Sequence, residues 1–179
     1  RSAGGIFKVF FTLGILTGFY WFLVLRFPAA SLFLNNPLLS YSVLIGTLSL
    51  SVYNWLNRFD SVGEYLYLPV DAATLLDAKQ VAFLVAAIPF SLLFIAASYL
   101  YYPSGVLLGV LTATATIIYT MGVASYLTGT EPNSRLYDTW LFMKYLAANS
   151  VFVVPLLVLS IVYTPEMFSF YVAVLMLAA

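Results

Sequence analysis

Seven acidic and seven basic residues are the whole charged repertoire of this 179-residue chain, and histidine and cysteine are both absent. Without a thiol or an imidazole there is no disulfide, iron–sulfur cluster, thiol nucleophile, imidazole metal ligand or Ser–His pair. The phosphate-binding pattern Gly-x-x-x-x-Gly-Lys-Ser/Thr does not occur either. What the carboxylates can do then depends on where they fall. A charge at the centre of a bilayer costs roughly 2.5–3.5 kcal/mol on insertion scales, so acidic residues there mark ion paths, proton relays or paired-carboxylate proteases. No Asp or Glu lies in the central part of any apolar stretch of this sequence. The residues therefore predict no catalytic, cofactor-binding or metal-binding set, no ion-coupled pump and no aspartyl or zinc intramembrane protease.

The elements that hold these few charges are set by the gaps between them. Hydrophobic residues make up 63% of the chain and charged residues 8%, and the mean hydropathy is +1.01. A soluble domain carries about 25% charged residues, so this composition excludes one. A net charge of zero leaves no basic excess to neutralise phosphates, which argues against nucleic-acid binding. Val9–Leu25, Phe27–Asn57, Gln80–Thr130 and Tyr145–Pro165 are free of charge. Crossing a bilayer takes about 20 apolar residues. Punctuation at Phe27-Pro28, Asn35-Asn36-Pro37, Tyr101-Tyr102-Pro103-Ser104-Gly105 and Thr164-Pro165 divides the runs. The pattern predicts an all-α polytopic bundle in one transmembrane domain, 1–179. Its six helices lie near 7–27, 38–56, 80–101, 105–127, 143–163 and 167–179. The last is too short to cross, and the chain opens on Arg1 rather than Met, as expected either of a piece of a longer protein or of one with processed ends. The first apolar run is too long for a signal peptide.

Basic residues in short loops set orientation. With a cytoplasmic N-terminus, Arg1, Lys8, Arg58, Lys79, Arg135 and Lys144 lie inside and only Arg26 outside. The expected location is the cell membrane, as a multi-pass protein. Tyr20, Trp21, Tyr53, Trp55, Tyr99, Tyr101, Tyr102 and Tyr163, near the helix ends, suit an interfacial aromatic belt.

The inner loops then hold ten of the fourteen charges: Arg58, Asp60, Glu64, Asp71, Asp77, Lys79, Glu131, Arg135, Asp138 and Lys144. Such a face either meets a partner or is ordinary solvated loop. In the first loop, Ser61 followed three residues later by Glu64 has capping-box spacing, so a short helix begins at Ser61 and Pro69 stops it. Asp71 is placed to cap the next helix, from 72 onward through Asp77 and Lys79.

Gly63-Glu64-Tyr65-Leu66, Leu68-Pro69-Val70-Asp71 and Leu75-Leu76-Asp77-Ala78-Lys79 together resemble the inner loop of type-2 ATP-binding-cassette (ABC) transporter permeases. That loop reads roughly Gly-x-x-Glu/Leu-Leu, then Pro with Val or Ile and a small polar residue, then Ile/Leu-Leu-x-x-Lys. It lies between the second and third of six spans, as here. Many members carry Arg where this chain has Ala72. The resemblance implies a coupling helix that docks on a separate ATPase, formed here by Asp60, Ser61, Gly63, Glu64, Tyr65, Leu66, Leu68 and Pro69. It further implies a second permease copy or homologous half, and a chain that binds no nucleotide itself.

The second inner loop, with Glu131, Pro132, Asn133 and Arg135, is similar to a Gly-x-x-Pro-Asn element of some permeases of that type. It either touches the ATPase or its dimer mate, or simply joins two helices; the second is favoured. Gly129 and Pro132-Asn133 end the fourth span, and Asn133 or Ser134 is placed to cap the segment leading into the fifth. Pro89 and Pro155 fall inside spans, where membrane helices tolerate proline. Gly14-x-x-x-Gly18 and Gly105-x-x-x-Gly109 offer close-packing faces. Thr112, Thr116 and Thr120 share a side of the fourth span, where they either line a passage or bond back to their own helix, the favoured outcome.

Three functions fit these residues in falling order. The first is an ABC permease that forms a translocation path and couples to an ATPase. The second is a structural or assembly subunit of a larger membrane complex. The third is a lipid-modifying enzyme, for which no convergent polar set is evident.

Overall fold

The computed structural model describes residues 3–27, 36–52, 69–100, 105–129, 138–162 and 165–178. Helices account for nearly all of them, with no strand among the described residues. The helices are α1 (Ala3–Arg26), α2 (Pro37–Leu48), α3 (Ala72–Ser98), α4 (Val106–Thr128), α5 (Thr139–Val162) and α6 (Pro165–Ala178). Four of them, α1, α3, α4 and α5, are long and apolar enough to cross a membrane. Their outward faces carry Phe11, Phe19, Val85, Leu93, Leu107 and Val154, all exposed. A surface of this kind is compatible with a bilayer as solvent.

The sequence places the helix ends for identifiable reasons. Asn36 caps α2 by accepting the Leu39 amide on Oδ1 at 3.3 Å, with Pro37 supplying the pre-set first residue. Asp71 caps α3, as its position foretells: its Oδ1 accepts the Thr74 amide at 3.2 Å. Helix α3 therefore starts eight residues before the apolar run near 80. Gly105 precedes α4 with φ 86 and Gly129 closes it with φ 55, conformations that side chains resist. Asp138 caps α5, accepting the Trp140 amide at 3.0 Å, while Asn133 and Ser134 lie outside the described residues. Pro89 and Pro155 both lie within unbroken helices.

A turn at Ser49 interrupts α2 after Leu48, and helical backbone resumes over 50–52, the last described residues of the run expected to reach 56. Hydroxyls explain the interruption. Thr47, Ser49 and Ser51 each donate to the carbonyl three residues back (Leu44, Gly46 and Leu48), while the Val52 amide bonds Ser49. These local bonds compete with the α-helical ladder and tighten the chain into a 3₁₀-like turn.

Cross-helix contacts fix the directions. Thr17 meets Tyr41 while Tyr20 meets Pro37, so α1 and α2 are antiparallel. Gly109 faces Ser42 while Gly46 faces Thr116, so α2 and α4 run parallel. Phe10 stacks on Phe90 at one end of α1 while Trp21 and Ser98 share a groove near the other, so α1 and α3 are parallel. Tyr119 meets Phe152, and Lys144 lies across from Tyr126 and Leu127, so α5 opposes α4. Helix α6 returns along α5, Phe152 meeting Tyr171. The helices thus alternate in direction. Helix α2 sits at the centre, packed by α1, α3, α4 and α5, and most of its residues are buried.

Candidate functional site

The candidate site is the end of the bundle where α2 and α4 finish and α3 and α5 begin. The alternation of directions brings those four ends together, along with the start of α1. Lys8, Lys79 and Lys144 therefore sit toward this end, and Arg26 at the opposite one. Lys79 is buried even though it stands only in the second turn of α3.

Most of the residues named for coupling belong to the connectors at this end. Asp60, Ser61, Gly63, Glu64, Tyr65, Leu66 and Leu68 lie outside the described residues, as do Glu131, Pro132, Asn133 and Arg135. Pro69 is described: it forms an exposed bend just before the Asp71 cap. The Thr74 hydroxyl and amide hold the Asp71 carboxyl below the usual carboxylate range. The break between connector and helix is therefore sharp, with an extended Asp71 (φ −74°, ψ 158°) turning directly into α3.

Away from this end, the polar residues are spent on packing. Thr112, Thr116 and Thr120 donate to the carbonyls of Leu108, Thr112 and Thr116 at 2.6–2.8 Å. All three are fully buried, so the stripe bonds back to its own helix and lines no passage. Thr17 donates to Leu13, which leaves the Tyr41 hydroxyl to donate to Thr17 at 3.0 Å. The Tyr20 hydroxyl donates to the Pro37 carbonyl at 2.7 Å. Tyr20, Trp21 and Tyr41 form one aromatic cluster between α1 and α2. This corrects the belt reading for Tyr20 and Trp21, whose rings pack inward, whereas Tyr99 is exposed as a belt residue must be. Tyr53, Trp55, Tyr101, Tyr102 and Tyr163 lie outside the described residues.

The two glycine pairs divide. Gly109 is used, since a Cβ there would lie 2.9 Å from the Ser42 hydroxyl. Gly14 and Gly18 have nothing within 4 Å and border an open groove between α1 and α3. Sequence reasoning missed three features. Gly46 is the tightest point of the α2–α4 seam but has no glycine partner at the GxxxG spacing. Ser40 and Ser160, 120 positions apart, share a buried hydrogen bond of 2.6 Å. Asn149 is buried, and its Oδ1 has no hydrogen-bond partner among the described residues. Its polarity in the middle of an apolar run was the available signal.

Among the described residues no group of three acidic side chains is placed to hold a metal ion. No protein family, curated protein or solved structure matches this chain.

Proposed function

We propose that this chain is the transmembrane permease part of a type-2 ABC transporter, coupled through the loop around Asp60–Pro69 to a separate ATPase. The observation that carries the reading is the Gly63–Lys79 sequence, which runs through an exposed bend at Pro69 into the Asp71-capped start of a long apolar helix. A lever needs a rigid attachment. A connector that ends in a capped helix passes a push on its residues along the axis of α3, instead of absorbing it in slack chain. The clustering of Lys8, Lys79 and Lys144 at the same end supports a cytoplasmic assignment for it under the positive-inside bias. In this reading the membrane helices form the path at an interface with a second copy or homologous half.

The test is purification from native membranes with ATP hydrolysis as the readout. A copurifying chain with a glycine-rich phosphate loop, whose hydrolysis changes with Glu64→Ala and Leu68→Asp, supports the permease. A stable complex lacking any ATPase rejects it in favour of an assembly subunit.

A further inference from the structure

A groove of about 400 Å³ lies between α4 and α5 toward the end where α4 finishes. Its walls are Tyr119, Gly122, Val123 and Leu127 of α4 with Ala148 of α5, and Lys144 and Tyr126 stand at its mouth. From Tyr119 to Leu127 the groove runs about 12 Å along the helix at 1.5 Å per residue. Its floor is open because Gly122 meets nothing within 4 Å. Its inner end closes where the Tyr119 hydroxyl donates to the Ala148 carbonyl at 2.9 Å.

The mouth differs chemically from the floor. Tyr126 is 89% exposed and Trp140 is 68% exposed, and Lys144 Nζ rides 5.2 Å from the centre of the Trp140 ring. Such a pair suits the headgroup level, where amphipathic rings and lysines gather. No acidic side chain among the described residues lines the groove. Asp138, the acidic residue nearest in sequence, is turned to the Trp140 amide as the cap of α5. Lys144 is thus a cation beside an apolar slot, with no anion of its own among the described residues.

We propose that this groove is a binding site for an anionic phospholipid, its phosphate on Lys144 and one acyl chain laid against Gly122, Val123 and Ala148. Charge complementarity selects the headgroup, since a zwitterionic lipid brings its own cation to a site that already holds one. The apolar slot selects a lipid over a free phosphate, which gains nothing from the floor. Basic recesses between membrane helices are a recurrent solution to acidic-lipid capture. This inference does not depend on the transporter reading.

The full chain, reconstituted in phosphatidylcholine bilayers, is doped with phosphatidylglycerol carrying a photoreactive acyl chain and, separately, with the matching phosphatidylcholine. Crosslinks are mapped by mass spectrometry. The acidic probe should label peptides containing Gly122–Leu127 and Ala148 about five-fold more than the neutral one, the ratio set by one interfacial cation. Lys144→Gln should bring the two probes level, while Lys144→Arg should keep the difference. Helix content by circular dichroism confirms that the variants remain folded, and the exposed position of Lys144 leaves the core packing untouched by either change. Equal labelling by both probes in the unmodified chain overturns the site. Preference unchanged in Lys144→Gln does so as well, and so does displacement of the acidic probe by millimolar inorganic phosphate.

Discussion

A Cβ atom placed on Gly46 would sit 2.6 Å from the Cβ of Thr116 across the seam between α2 and α4, and 3.1 Å from the Ala113 carbonyl oxygen. No real pair of carbons approaches so closely. The parallel run of α2 beside α4 therefore exists because residue 46 has no side chain. Below it Gly109 admits Ser42 in the same way. In a bilayer, where lipid tails are as apolar as leucine, such close approach is what drives helices together.

Gly46→Ala should destabilise the bundle by about 1–3 kcal/mol, the usual cost of overpacking. Thermal unfolding in a fixed detergent measures it. Thr116→Gly in the same chain removes the clashing carbon, so the double variant should recover part of the loss and give a coupling of about 0.5–3 kcal/mol. Additive losses in the two single variants would remove the seam from the account.

Asp71 gives the start of α3 a pH dependence with a definite sign. Hydrogen bonds from the Thr74 hydroxyl and amide hold its folded carboxyl below the ordinary range. The cap is thus at full strength above the unfolded value of about 3.9 and weakens as pH falls through the lower folded value. Hydrogen exchange over residues 72–78 should quicken, beyond the intrinsic trend, as pH drops through that window. Asp71→Asn keeps an acceptor and should abolish the pH dependence, while Asp71→Ala should raise exchange at every pH. A first turn whose protection ignores all three changes would show the cap to be idle.

How much of this was legible in the sequence depends on the range over which each feature acts. The caps Asp71 and Gly129 act within one helical turn, so residue type and position were enough. The back-bonding of Thr112, Thr116 and Thr120 is equally local. The turn at Ser49 within α2 is also local, but it is hidden because Thr47, Ser49 and Ser51 count as neutral in a hydropathy window. Contacts between helices were legible only at Gly109. Gly14 and Gly18 have the packing spacing and pack on nothing within the described residues, whereas Gly46, which has no glycine four residues away, is the tightest point of the seam. Trp21 near a helix end reads as interfacial until the position of α2 is known. The candidate coupling residues were read from a motif, and for Asp60–Leu68 that motif remains the sole support.

Asn149 should be replaceable at no cost. Its Nδ2 donates to the Tyr145 carbonyl at 3.0 Å, but that carbonyl belongs to its own helix, and the buried Oδ1 has no partner among the described residues. An unmet acceptor away from water costs about 1–3 kcal/mol. Asn149→Leu should therefore hold or raise the unfolding temperature, and Asn149→Asp, which buries a charge in the same place, should lower it. A marked loss with leucine would assign the amide oxygen a ligand or partner chain.

Ser40 and Ser160 tie the central helix α2 to α5 by a chain of hydrogen bonds with a fixed direction. The Ser160 hydroxyl donates to the Leu157 carbonyl at 2.7 Å, so its single proton is committed. Ser40 must then be the donor in the 2.6 Å bond between them. Ser160→Ala leaves the Ser40 hydroxyl its contact with the Tyr20 hydroxyl, and Ser40→Ala leaves Ser160 still donating to its own helix. Each change removes the same link between α2 and α5 and should cost about 0.5–2 kcal/mol, as for an interhelical hydrogen bond in a membrane protein. The double variant should cost less than their sum, because the second substitution finds no bond left to break. Denaturant-induced unfolding of the four species measures all three quantities. Single losses that add in the double variant would remove the Ser40–Ser160 bond from the account, since two substitutions at the ends of one bond can break it only once.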